Sequence, residues 1–350
     1  MLVERERFVE SAYLSGEETI QIDSDARGCR TWPSISLGKS CNSQKLNPSP
    51  SLPSGCCLAV CSCEPMNRTD RIYLVVHVVL TLLVCARHER APHWPAYIVW
   101  NLCVIAAILV LARKSGDSVA WEFAHDWFPL VLFTTAFEEI SFLSLAIRSG
   151  WQNHYILALE SAIFGVSPME WLHARGKSWV IEFLEFGYFV FYPLYPIVGG
   201  LFWAWRARPA FTGAFRKLTD SLSVGYAICY AIYLLLPTQS PANRAGVQQI
   251  GTAHGGVFQH LVRMVQNHAG VHGNAFPSSH IMLTFVVLMF AYRFLPHAAP
   301  WLLIPILLMC VGAVYDGYHY ASDVIAGATI GIVLGGVLSR RRVRSRSAVP

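Results

Sequence analysis

Eight apolar runs, most of them long enough to cross a bilayer, leave this chain few folds to choose from. They fall at 72–86, 95–112, 127–147, 180–205, 222–237, 280–296, 299–315 and 320–338, the first being the shortest. A hydrocarbon core about 30 Å thick takes roughly 20 apolar residues wound as a helix. Charged residues make up only 14% of the chain against 54% hydrophobic, where a soluble domain carries about a quarter charged. Period-two alternation is weak, so a membrane barrel is not expected. Helices, which satisfy their own backbone hydrogen bonds in lipid, are. The sequence predicts an all-α fold, a polytopic membrane helix bundle with no internal repeat.

Basic residues orient the bundle. With both termini cytoplasmic, the inner segments hold Arg68, Arg71, Arg113, Lys114, Arg206, Arg208, Arg216, Lys217, Arg293 and the terminal run Arg340, Arg341, Arg342, Arg344 and Arg346. The outer segments hold fewer: Arg87, Arg90, Arg148, Arg175, Lys177, Arg244 and Arg263. In a bacterium the expected location is the cytoplasmic membrane. The terminal run (339–350), beside a span, reads as a topology anchor on anionic lipid. The net charge of +5 calls for no nucleic-acid partner.

Residues 1–70 are a different material, rich in Ser, Pro and Cys without a sustained apolar period, and disorder is expected there. They lack the ordered regions of a signal peptide. Cys29, Cys41, Cys56, Cys57, Cys61 and Cys63 all lie here, yet no histidine precedes His77, so a zinc site is not expected. Palmitoylation is one use for them. Met66 leads straight into the first span, and a natural start at Met66 is an equal reading. Cys85, Cys103, Cys229 and Cys310 read as packing residues. His254, His260, His268 and His272 have spacings that match no strong ligand pattern, so no metal is expected.

Chemistry concentrates in two strings, Phe276-Pro277-Ser278-Ser279-His280 and His319-Tyr320-Ala321-Ser322-Asp323, each at the mouth of a span. The assigned topology puts both at the outer face. His319 and Asp323, four apart, would share one helical face. A carboxylate there fixes the imidazole tautomer and makes the other ring nitrogen a better nucleophile. Pro277 suits a first helical turn. Ser278 and Ser279 would then offer hydroxyls and free amides at a helix N-terminus, a favourable anion site, with His280 as proton donor. Two histidines and a carboxylate can move a phosphoryl group with neither metal nor cofactor.

These strings, the second within Tyr315-x-Gly317-x-His319, resemble the second and third motifs of the type-2 phosphatidic acid phosphatase superfamily. Four further strings resemble its inositol phosphorylceramide synthase-like branch: HDWFPLVL (125–132), LESAIFG (159–165), EFGYFVFYPLYP (185–196) and LLPTQSP (235–241). The likeness runs from about 125 to 338. It implies a six-helix phosphatase/phosphotransferase core at 126–338, preceded by two extra spans at 71–125. It further implies that His319 attacks phosphorus, Asp323 orients it, His280 protonates the leaving alcohol, and Ser278 and Ser279 hold phosphate oxygens. The substrate would be a lipid phosphate or pyrophosphate from the bilayer, and the acceptor water or an alcohol. Two departures stand out. Gly312 and Ala313 occupy positions where the family often has Ser-Arg, and its Lys-x6-Arg-Pro motif has no counterpart. Arg244 is the candidate replacement for the missing phosphate clamp.

Other polar groups sit near lipid. Glu138 and Glu139 lie inside a span, where carboxylates serve function or bond neighbouring helices. Glu182 and Glu185, near the outer start of the next span, suit a headgroup or an interfacial position. Tyr188, Tyr192 and Tyr195 read as helix packing and interfacial belts rather than a binding cage. The segment 155–172 is expected to lie flat on the outer surface and frame substrate access. Two rival readings remain open: a transporter built on the Glu138/Glu139 pair, and a non-catalytic relative, given Ala313.

Overall fold

A computed structural model describes residues 66–91, 93–173, 178–243, 256–269 and 273–340. The segment 1–65, Arg244, His254, His272 and the tail from Arg341 fall outside the described residues, as do the side chain of His268 and the roles expected for them. The described chain is helical: α1 (Arg68–Ala86), α2 (Trp94–Lys114), α3 (Val119–Ile147), α4 (Asn153–Phe164), α5 (Pro168–His173), α6 (Ser178–Ala204), α7 (Ala214–Leu235), α8 (Val257–Ala269), α9 (Ser279–Phe294), α10 (Ala299–Tyr315) and α11 (Ala321–Arg340). Six helices, α1, α2, α3, α6, α7 and α11, are long and apolar enough to span a bilayer, and α9 and α10 are shorter apolar helices. The chain is a multi-pass membrane protein, and each expected run returns as one of these eight helices.

The helices exceed the apolar runs at their polar ends, because polar residues there are satisfied by one another. α3 begins at Val119 rather than 127, with Ser118 capping the amide of Trp121 at 3.3 Å. His125 then meets Asp70 of α1 at 3.0 Å, and Trp203 of α6 donates to Asp126 at 3.0 Å. Thr69 donates to Asp220 of α7 at 2.9 Å. Asn67 and Asp70 form a reciprocal capping box that starts α1. α1 and α2 also share the main apolar core with α3, α6, α7 and α9, through Tyr73, Leu80, Val84, Val104 and Ile108.

Close helix approach sets the catalytic end. Gly327, Gly331 and Gly335 form one stripe on α11, packed against the backbone of α9. A β-carbon at Gly327 would collide with the Ser278 carbonyl oxygen, and one at Gly331 would stand 2.5 Å from the Met282 carbonyl. Small residues spaced by four let two membrane helices touch backbone to backbone. This contact brings the mouths of α9 and α11 together.

α4 crosses the end of the bundle where α7 finishes and α11 starts. The amide of Gln152 donates to Pro237, and Asn153 brackets Gln239 with two bonds of 2.8 and 3.0 Å. The 155–172 segment, expected to lie flat on the outer surface, forms two helices separated by a turn at Gly165 (φ +69°). Its Glu160 is buried rather than surface-facing.

Candidate active site

The two histidine strings meet in space, with local structure that differs from expectation in two places. α9 starts one residue late. Ser278 is its cap, accepting from the Ile281 amide at 3.3 Å. Pro277 therefore precedes the helix instead of sitting in its first turn; it follows a cis peptide bond from Phe276, and its carbonyl accepts the Tyr233 hydroxyl at 2.7 Å. His319 lies in the turn before α11, so it and Asp323 do not share a helical face. The turn brings them together regardless. Asp323 Oδ2 accepts the Tyr320 amide at 2.8 Å and stands 3.5 Å from His319 Nδ1.

Both nitrogens of His319 have neighbours that fix its tautomer. Nδ1 is 3.1 Å from the Ala275 carbonyl, which only accepts, so Nδ1 carries the hydrogen. Nε2 then holds a lone pair and receives the Ser278 hydroxyl at 3.0 Å. Burial pulls the imidazole pKa down to about 4, with the Ala275 contact opposing. The ring is neutral at physiological pH. A neutral ring with a directed lone pair is a nucleophile.

His280 stands across from it, ring centroids 6.1 Å apart, hemmed by Phe191 at 4.8 Å, Tyr188 at 6.3 Å and Phe137 at 6.5 Å. That separation suits a phosphoryl group between an attacking nitrogen and a proton carrier. The serines are less free than expected. The Ser278 amide donates to the Asp323 carbonyl at 3.1 Å, and its hydroxyl serves both helix and nucleophile. Ser279 is buried within hydrogen-bond reach of Tyr233. Neither is an open anion donor in this arrangement, because α9 and α11 meet too closely.

Further carboxylates converge on the mouth of α11. Glu160 of α4 accepts the Ser322 amide at 3.0 Å, occupying the helix N-terminus; burial still raises its pKa. Glu185 of α6 is fully buried and accepts the Tyr318 hydroxyl at 2.6 Å. Asp316 is raised by burial and by Glu185, with Arg263 of α8 opposing. Glu182 caps α8, accepting the amides of Phe258 and Gly256 at 2.7 and 2.8 Å.

Glu138 and Glu139 do not form a pair. Glu138 is exposed on the outside of α3, whereas Glu139 is buried and accepts Asn101 of α2 at 2.6 Å. The departures at 312 and 313 also have a cause in packing. A β-carbon at Gly312 would stand 3.1 Å from the Leu184 carbonyl of α6, and Ala313 is fully buried. An arginine at 313 has no room.

Several positioning groups escaped the sequence reading. The Ala275 carbonyl holds His319. Thr238 holds the 275–276 segment, its carbonyl accepting from the Ala275 amide at 3.1 Å and its hydroxyl from the Phe276 amide at 3.0 Å. Tyr233 holds Pro277. Only Thr238 lay in a string singled out beforehand, since backbone carbonyls leave no residue signature. Among the described residues no group of three or more His, Cys, Asp or Glu side chains is placed to hold a metal ion.

A family model described as the PAP2 superfamily matches residues 154–337, a little over half of the chain, from the start of α4 nearly to the end of α11 and including both histidine strings. No curated protein and no solved structure matches.

Proposed function

The chain belongs to the PAP2 superfamily and has a phosphatase or phosphotransferase type of activity; from that premise we propose that it cleaves a lipid phosphoester or pyrophosphate through a phosphohistidine on His319, without a metal. One observation carries this reading: the lone pair of His319 Nε2 is directed by Ala275 and Ser278, with Asp323 behind the ring and His280 in front.

In the first half-reaction Nε2 attacks phosphorus and displaces the Ser278 hydroxyl, which turns to a phosphoryl oxygen. The N–P bond forms as the P–O bond to the leaving alcohol breaks, and His280, which takes up a proton once the substrate's phosphate anion lies beside it, gives that oxygen its proton. Positive charge on the His319 ring is stabilised by the buried Asp323 carboxylate. In the second half, neutral His280 takes a proton from water or an alcohol, the new P–O bond forms, and the N–P bond breaks. The site faces the outer side of the membrane, with both termini cytoplasmic. A second reading, transfer of a phospho-headgroup to an alcohol, is favoured by the steric loss of the arginine position at Ala313.

The test is a panel of phosphorus-labelled lipid phosphates and pyrophosphates, assayed in detergent with and without chelator. Acid-labile label should appear on the wild type and vanish in His319→Ala, with turnover insensitive to chelation. Label retained by His319→Ala, or turnover abolished by chelation, sinks the mechanism. Free phosphate released without added alcohol identifies hydrolysis; dependence on alcohol identifies transfer.

A further inference from the structure

We infer that Glu185 and Asp316, together with the rings of Tyr188 and Tyr318, form a subsite for an ammonium-bearing headgroup, so that the preferred substrate is a zwitterionic phosphodiester lipid. This rests on the phosphoryl-transfer reading above and names its substrate class.

The first observation is an unmet hydrogen-bond demand beside the nucleophile. Glu185 is fully buried, and while Oε1 takes the Tyr318 hydroxyl, Oε2 has no partner. Asp316, three residues before His319, likewise has a buried Oδ2 without a partner. Buried carboxylate oxygens are normally matched by donors, because an unmatched one gives up its hydration with no bond in return. Two such oxygens at one turn call for a ligand that donates.

The second observation is the sign of the charge. The charged groups facing this turn are Glu185 and Glu182 from α6, Asp316 from the turn itself and Arg263 from the exposed face of α8. Burial first and repulsion from Glu185 second push the Asp316 carboxyl up to about 8, with Arg263 opposing, so at neutral pH the pair keeps a proton that a bound ammonium would displace. Asp323 adds a further buried carboxylate behind His319. A phosphomonoester, bringing close to two negative charges at neutral pH, meets little compensation. A phosphodiester brings one, and an ammonium on its headgroup cancels both that charge and the repulsion between the carboxylates.

The third observation is aromatic. Tyr188 meets Tyr318 edge to face with ring centroids 5.0 Å apart, and its ring centroid lies 6.3 Å from that of His280. Tyrosine faces backed by carboxylates are the chemistry that recognises ammonium groups. Here they border both histidines, which places the cation a short headgroup's length from the phosphorus.

The experiment separates binding from turnover. Equilibrium binding of phosphocholine, glycerol 3-phosphate and inorganic phosphate is measured on detergent-purified full-length protein, beside turnover of phosphatidylcholine, phosphatidylethanolamine, phosphatidylglycerol and phosphatidic acid. Phosphocholine should bind at least 10-fold more tightly than the other two. Glu185→Gln, which keeps an acceptor for Tyr318, should reduce that preference to within 3-fold, and Asp316→Asn should do the same should the first variant fail to fold. An absent preference, or one unchanged in both variants, overturns the subsite while lipid turnover leaves the phosphohistidine reading standing. Preferential phosphocholine binding without turnover of any lipid supports the subsite and removes the reaction assigned above.

Discussion

At the scale of single residues, the Ala275 carbonyl does work expected of Asp323. It fixes the His319 tautomer at 3.1 Å, closer than the carboxylate at 3.5 Å. Burial places the folded-state pKa at about 4, below the unfolded value near 6.5. Between those values the unfolded chain binds the extra proton, so stability rises as pH increases from about 4 to 6.5 and is fully present above that. Replacing His319 by Gln removes this contribution. The thermal midpoint of His319→Gln should therefore change less between pH 4.5 and 7 than that of the wild type; parallel pH curves would show that His319 titrates normally. Ser278 has two duties, and Ser278→Ala should show both. Loss of the α9 cap costs about 1 kcal/mol, visible as a small drop in midpoint. Loss of the Nε2 partner should lower kcat about 10-fold or more, well beyond what so modest a destabilisation explains. A variant with full turnover would leave Ser278 a cap alone.

At the scale of elements, the glycine stripe on α11 decides whether there is a site at all. Gly331→Leu would force a side chain against the Met282 carbonyl at 2.5 Å and the Phe285 β-carbon at 2.7 Å. α9 must move away, taking Ser278 from His319. Overpacking of this kind costs about 1–3 kcal/mol or more, and turnover should fall at least 100-fold. Gly336→Ala is the matched control, since its β-carbon would meet only Met289 Cε at 3.5 Å, an ordinary contact. Equal effects of the two would mean that the stripe is not the constraint. Here the limits of the sequence are visible in physical terms. The eight spans were legible because apolar runs report directly on lipid, and the two strings were legible because helix mouths collect polar residues. The starts of α3 and α7 were hidden, because His125, Asp126 and Asp220 lie outside the apolar runs until Asp70, Trp203 and Thr69 supply their partners. Gly312 and Ala313 read as a missing clamp until the approach of α6 shows why nothing larger fits. Glu185 read as a headgroup or interfacial residue, but its tie to Tyr318, 133 positions away in the chain, left no mark in the sequence.

Across the whole molecule, α1 and α2 lie outside the family match yet are tied to the bundle by buried polar bonds. His77 of α1 meets the Asn101 oxygen at 2.5 Å, and the Asn101 amide donates to Glu139 of α3 at 2.6 Å and to the Tyr97 carbonyl at 3.0 Å. All three side chains are almost completely buried. Asn101 is the middle of this chain, supplying an acceptor to one neighbour and a donor to the other. Asn101→Leu strands an imidazole and a carboxylate away from water, and removing one partner of a buried ionisable group costs about 3–5 kcal/mol. Replacing all three by leucine removes every unmet group at once and leaves an apolar seam of similar volume, which is often neutral. The triple variant should therefore melt nearer to the wild type than the single one does, an ordering that plain loss of packing would reverse. The network is not remote from the catalytic strings, since Glu139 is two residues from Phe137, whose ring lies 6.5 Å from that of His280. Per folded molecule, turnover of the triple variant should exceed that of the single one, because no stranded imidazole or carboxylate is left to displace α3 and, with it, Phe137. A triple variant that melts lower than Asn101→Leu would mean that the network contributes net stability and that α1 and α2 are held by it rather than by the apolar core they share with α3 and α7.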